Sequence, residues 1–365
     1  MTIVHQILPT LKYGDAIGHH TMAIWDLLHA KDRRSRIYAI NIDPRYARAA
    51  HRFQNYEDQP GNVLIYHYAI GSELTHFIRT LTHTRVVVYY HNITPAHFMV
   101  DVSPSLAVSL RQGREELRQL SSLPNVVHAI AASDYNRLEL LDAGFRDVDV
   151  GHYLIDLEQL DKGAQTLSAR QIREQISADA DALKLVFVGR VVPNKCQHDL
   201  VHLVQYYRQL IDAKIQLWLV GSFGDAGIYV ARLCMLITRY GLDAQVKLVG
   251  PVGPDNGLAA YYQSADAFVC MSEHEGFCVP LIEAMHFGLP VLAYESTGVP
   301  FTMGDAGVLF REKRFDMVAE TLARLRADAA MRSRLIEGQR QRIKAFEIKT
   351  TRTKLVQLLD RLSAE

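Results

Sequence analysis

Short apolar runs alternate with longer amphipathic stretches along the chain. In the first half the runs are TIVHQIL near the start, RIYAINI at 36–42, NVLIYHY at 62–68, RVVVYYH at 85–91 and NVVHAIAAS at 125–133. The second half repeats the style with KLVFVG at 184–189, IQLWLVG at 215–221, VKLVG at 246–250, AFVC at 267–270 and PVLAY at 290–294. Runs this short and this apolar read as buried strands, and the stretches between them as helices. Such alternation predicts parallel sheets covered by helices on both faces, an α/β architecture. A length of 365 residues exceeds one ordinary domain and supplies two cores. The polar, partly helical stretch at 156–181 is the expected connection, giving domains at 1–160 and 161–345. The charged tail at 346–365 is helical in character and is expected to pack back onto the first domain.

The segment EGFCVPLIE sets Glu275 and Glu283 eight positions apart, across a loop that runs into a helix. Pro280 suits a first helical position, and Leu281, Ile282, Ala284 and Met285 supply core contacts. Glu283 is then expected in the first turn. The amides of Gly276, Phe277, Cys278 and Val279, just ahead of the helix, would lack intrahelical acceptors and can face a diphosphate. Glu283 can accept from paired ribose hydroxyls, and Glu275 can reach a sugar hydroxyl or a developing charge. The competing explanation is a plain helix start whose acid favours the dipole.

Other positions change that balance. VFVGRVVPNK ends a strand at Gly189 and places Arg190 and Lys195 in the next loop, a candidate phosphate clamp at the carboxyl end of a strand. Near the start, LPTLKYGDAIGHH follows a strand with Gly14 and Gly18, which allow close backbone approach, and Asp15 is a candidate helix cap. His91 follows RVVVYY and opens HNITP, so it should sit at a strand end, where an imidazole can orient a hydroxyl or satisfy a local hydrogen bond. GxGxxG is absent, which argues against a nicotinamide dehydrogenase, and GSFGDAG at 221–227 reads as a turn. GxSxG is also absent, so no serine hydrolase is expected.

Forty basic and forty acidic residues cancel, which argues against nucleic acid as a partner. The four cysteines form no CxxC pair and no histidines are spaced as HExxH, so neither a disulfide framework nor a bound metal is expected. A reducing cytoplasm fits this cysteine usage, and no run is long enough to span a bilayer. From Pro104 an amphipathic helix carries Arg111, Arg114 and Arg118 on one side, which leaves a peripheral contact with the inner face of a membrane open beside the simpler reading of a solvated face.

Taken in order, YGDAIG, HNITP with His91, GRVVPNK with Arg190 and Lys195, and EGFCVPLIEAMHFGLPVLA with Glu275 and Glu283 resemble the retaining nucleotide-sugar glycosyltransferases of family four, over nearly the whole chain. The resemblance implies the GT-B fold, two doubly wound Rossmann-like domains facing a central cleft. It implies a donor site in the second domain, with Glu283 on ribose, Arg190 and Lys195 on diphosphate and Glu275 on the transferred sugar. His91 and the Gly14 loop would face the donor from an acceptor-binding first domain. The implied reaction moves a hexose-type sugar from a nucleotide diphosphate sugar to a saccharide or lipid-linked saccharide hydroxyl, with retention, needing neither cofactor nor metal. The likeness leans toward bacterial surface polysaccharide or lipopolysaccharide assembly and a GDP-mannose-type donor. One position departs from the family: Phe301 stands where many relatives carry a glutamate. An epimerase or hydrolase of the same plan, or a silent nucleotide-sugar binding module, are the alternatives.

Overall fold

The computed structural model describes residues 2–30, 34–224 and 226–364, so Asp225 of the GSFGDAG turn lies outside the described residues. By its contacts the chain divides into two units, one of residues 1–97, 104–155 and 346–365 and one of 98–103 and 156–345. Each is built on one all-parallel sheet.

In the first unit the strands are β1 (Ile3–Leu11), β2 (Ile37–Ile42), β3 (Ala50–Arg52), β4 (Asn62–Tyr68), β5 (Arg85–Tyr90), β6 (Val126–Ala131) and β7 (Val148–Val150), in the order β3-β2-β1-β4-β5-β6-β7. Every residue of β4 is buried, as expected for a central strand covered on both faces. In the second unit they are β8 (Leu183–Val188), β9 (Ile215–Val220), β10 (Val246–Gly250), β11 (Ala267–Cys270), β12 (Val291–Tyr294) and β13 (Val308–Phe310), in the order β10-β9-β8-β11-β12-β13. Here Leu185, Val186, Leu217, Leu219, Phe268 and Val269 are fully buried, each contributing about 1.5–3 kcal/mol of transfer free energy.

Ten strands coincide with the apolar runs of the sequence. The three that do not, β3, β7 and β13, are three-residue strands at sheet edges, too short to show a period and flanked on one side only. The stretch at 156–181 is not a free linker. It forms the helices Leu157–Gly163 and Leu167–Ser177 inside the second unit, where Arg173 donates to Gln263 Oε1 at 3.0 Å. The helix Ile348–Ala364 groups with the first unit.

Both sheets reverse direction once. The order turns between β1 and β4 in the first and between β8 and β11 in the second. Loops leaving the carboxyl ends of such neighbouring strands diverge to opposite faces and leave a crevice between them.

Candidate active site

The crevice between β8 and β11 brings together two residues from distant loops. Lys195 ends a short 3-10 turn, Pro193–Lys195, in the loop after β8, and Glu275 lies in the loop after β11. Lys195 Nζ is 2.5 Å from Glu275 Oε2, with side-chain exposures of 17% and 5%. Burial alone would push the Lys195 ammonium down. The Glu275 carboxylate more than offsets this, and the net shift is upward. Glu275 Oε1 has no hydrogen-bond partner, so the carboxylate keeps one acceptor for a ligand.

The loop that carries Glu275 is held by backbone contacts. The Glu275 amide donates to Thr297 Oγ1 at 2.8 Å, Thr297 Oγ1 donates back to the Glu275 carbonyl at 2.9 Å, and the Gly298 amide donates to the same carbonyl at 2.9 Å. A Cβ on Gly298 would stand 2.4 Å from the Gly276 carbonyl oxygen, so only glycine permits this approach. The loop after β8 is tied to the loop after β11 in the same way, Asn194 Nδ2 donating to the His274 carbonyl at 3.0 Å.

The helix that follows spans Val279–His286, with Cys278 as its cap at φ 69°. It starts one residue earlier than the proline suggests, because the left-handed Cys278 turns the chain before Pro280. Pro280 is therefore the second helical residue, and Glu283 falls beyond the first turn rather than within it. The amides of Cys278 and Val279 have no acceptor among the described residues, while Gly276 lies beside them and Phe277 is buried, its carbonyl accepting from Thr302 Oγ1. Glu283 is half-buried, and Tyr262 Oη donates to its Oε2 at 2.6 Å. Burial raises the Glu283 carboxyl above its ordinary range, and the Tyr262 hydrogen bond works against that rise.

Arg190 follows Gly189, the residue after β8, and its guanidinium is exposed with no hydrogen bond or ion pair among the described residues. Its carbonyl accepts from Gln197 Nε2 at 2.8 Å, which fixes the backbone and leaves the cation to swing. Among the described residues, the non-glycine residues with positive φ are Asn92, Cys196, Cys278 and Thr297. All follow strand ends, after β5, β8, β11 and β12, so the strained backbone lies where the ligand-facing loops are.

In the first unit Asp15 caps the helix Ala16–Ala30, its Oδ2 accepting from the Gly18 amide at 3.2 Å. Gly14, at φ 76°, has open space where a Cβ would be. His91 is placed differently from its expected ligand-facing role. It is 6% exposed, with Nε2 at 2.8 Å from His67 Nδ1 and Nδ1 at 2.9 Å from Tyr153 Oη, so both ring nitrogens are committed inside the protein. His67 Nε2 continues the chain to Gln6 Oε1 at 3.0 Å. Burial depresses His91 and His67 well below the ordinary imidazole value and takes His20, which packs beside them, down to about 3. The helix Pro104–Leu120 does present Arg111 and Arg118 outward, but Arg114 pairs with Glu139 at 3.1 Å, which shrinks the basic face expected there.

Sequence reasoning missed Tyr262, Thr297, Asn194 and Gln6. Thr297 and Asn194 carried a usable signal, since each lies in a short polar loop after an apolar run; Tyr262 and Gln6 lie inside regular elements and carried none.

Two parallel Rossmann-like sheets, the second with a cation–carboxylate pair at its switch point, define a GT-B protein. Residues 168–342 match the family described as glycosyl transferases group 1. A D-inositol 3-phosphate glycosyltransferase of Frankia alni is 26% identical over 358 residues, covering 93% of this chain and 83% of that one. The O-antigen chain mannosyltransferase B of Escherichia coli is 30% identical over 135 residues, 37% of this chain and 34% of its own. Other relatives named D-inositol 3-phosphate glycosyltransferase are likewise matched over less than half their length. In fold, the chain is similar to the Anabaena protein HepE solved in complex with UDP, at a TM-score of 0.75 and 18% identity, covering 99% of this chain and 100% of that one. No described helix is long and apolar enough to cross a membrane.

Proposed function

We propose that the chain transfers a glycosyl group from a nucleotide diphosphate sugar to an acceptor hydroxyl, with retention at the anomeric carbon. The observation that carries the reading is the Lys195–Glu275 pair at the β8/β11 crevice, beside the unpaired Arg190 and the Cys278 and Val279 amides. A diphosphate seated there would meet two cations and two amide donors, and Glu275 Oε1 would accept from a hydroxyl of the transferred sugar. Glu283, held by Tyr262, would accept from the ribose hydroxyls. The UDP held by HepE and the names of the relatives support a nucleotide-sugar donor.

In the step itself the bond from the anomeric carbon to the diphosphate oxygen breaks, and a bond from the acceptor oxygen forms on the same face. The departing phosphate oxygen takes the acceptor proton. Arg190 and Lys195 stabilise the charge that builds on the leaving group, the task a divalent ion performs elsewhere, so we assign no metal to turnover. We place the acceptor, a saccharide or lipid-linked saccharide, on the first unit and the pathway in surface-polysaccharide assembly at the cytoplasmic face of the membrane. A mannose-type donor is our first choice, following the Escherichia coli relative. His91 would act by holding its neighbours in place, given its two internal partners.

Slow hydrolysis of a panel of nucleotide sugars, followed by proton NMR, tests the reading. One donor should release its sugar initially in the anomeric configuration it had on the nucleotide. Initial release of the opposite anomer would remove retention, and epimerised nucleotide sugar would replace transfer with isomerisation.

A further inference from the structure

Three side chains of the second unit meet in a way that the transfer reaction does not use. Cys270 is the last residue of β11 and fully buried, Cys278 is the cap of the next helix, and Glu275 lies in the loop between them. The two sulfur atoms and a Glu275 carboxylate oxygen all lie within 4.8 Å of one another. We propose that Cys270, Glu275 and Cys278 form a site for a soft divalent cation of the zinc or cadmium type, and that its occupation excludes the sugar donor.

Zinc–sulfur bonds of about 2.3 Å and zinc–oxygen bonds of about 2.0–2.2 Å require tetrahedral ligand atoms to stand somewhat under 4 Å apart, so a small contraction closes the site. The ligands start from fixed points. Cys270 is held in the sheet, the Glu275 backbone is pinned by Thr297 and Gly298, and Cys278 sits in a left-handed cap. Glu275 supplies the second sign of a ligand: it is 5% exposed and its Oε1 has no hydrogen-bond partner.

Charge also closes. Two thiolates, one carboxylate and a divalent cation sum to a single negative charge, which the Lys195 ammonium 2.5 Å from Glu275 neutralises. Binding would release the two thiol protons to solvent, and the fourth position would be left to water. The other close cluster, Cys196, His198 and Asp199, lacks this opportunity. Its His198 already has Nδ1 engaged by Tyr229 Oη at 2.9 Å.

The metal site stands apart from the donor reading, whereas the exclusion of donor rests on it, because Glu275 cannot serve a metal and a sugar hydroxyl together. The reduced full-length protein is titrated with cadmium alone, following the thiolate-to-cadmium charge-transfer band. One ion per chain should bind, the band should vanish in Cys270→Ser and in Cys278→Ser, and it should persist in Cys196→Ser and Cys234→Ser. Loss of the band only in the Cys196 or Cys234 variant, or no band in the wild type, overturns the site. Cys270→Ala, with its folding checked by thermal melting, guards against loss of the band through misfolding. Zinc should abolish donor hydrolysis reversibly with EDTA in the wild type and leave Cys270→Ser active. Cadmium bound through these cysteines with donor hydrolysis unchanged would overturn the exclusion while the metal site stood.

Discussion

Lys195 Nζ and Glu275 Oε2 lie 2.5 Å apart although 80 positions separate them in the chain. The pair is almost out of water, so each charge depends on the other. Truncating one partner should leave a buried, uncompensated ion and cost on the order of 3–5 kcal/mol. Lys195→Met should therefore lower the urea midpoint strongly, and Lys195→Met with Glu275→Gln should recover most of that loss. Turnover should stay at least about a hundredfold down in both, because the leaving-group cation is gone. A single variant as stable as wild type would mean that the pair is solvated.

Tyr262 acts on the donor through Glu283. Its hydroxyl hydrogen bond opposes the upward push that burial exerts on the carboxyl. Tyr262→Phe should raise the Glu283 pKa further and weaken donor binding by about tenfold or less, the worth of roughly one hydrogen bond. Since the ribose contact needs the ionised carboxylate, affinity should fall off at a higher pH than in the wild type. Calorimetric donor titrations across the acid range report this directly, and an unmoved pH profile would remove Tyr262 from the site.

Gly298 keeps the Glu275 loop in register. Gly298→Ala would press a methyl group to 2.4 Å from the Gly276 carbonyl, and neither backbone can yield without moving Glu275. Donor hydrolysis should drop at least about tenfold, in line with the sensitivity of such sites to displacements of about 1 Å. Full hydrolysis by a folded Gly298→Ala protein would show that the loop tolerates the shift.

Three buried histidines make the first unit acid-sensitive. His20, His67 and His91 are neutral in the fold, with His20 down to about 3 and the others well below their ordinary value. In the unfolded chain they titrate near 6.5, so below that pH the unfolded state binds more protons and gains on the folded one. Their contribution is complete above about pH 6.5 and is lost as pH falls toward their folded values. Thermal melting from pH 7 to 5 should show a steep decline that is shallower in His67→Asn. A flat profile would mean that these rings protonate in place.

The sequence exposed what depends on local pattern. The apolar runs located ten strands, and GRVVPNK and EGFCVPLIE marked the loops that meet at the β8/β11 crevice, because glycine, proline and charge after a strand leave a local trace. What it hid depends on pairing across the fold. Nothing around Tyr262 signals a partner 21 residues away, and nothing in HNITP tells that His91 is enclosed by His67 and Tyr153. The edge strands β3, β7 and β13 were hidden by brevity. The Cys270–Cys278 cluster escaped because its two cysteines are joined through a strand end and a helix cap rather than a ligand spacing.

The most direct test of the central claim is the affinity of UDP-, GDP- and dTDP-sugars for the wild type and for Lys195→Met with Glu275→Gln, measured by calorimetry. The account predicts that one nucleotide sugar binds the wild type and that the folded double variant binds it at least about tenfold more weakly. Equal affinity in the two proteins would contradict the placement of the diphosphate sugar against Lys195 and Glu275.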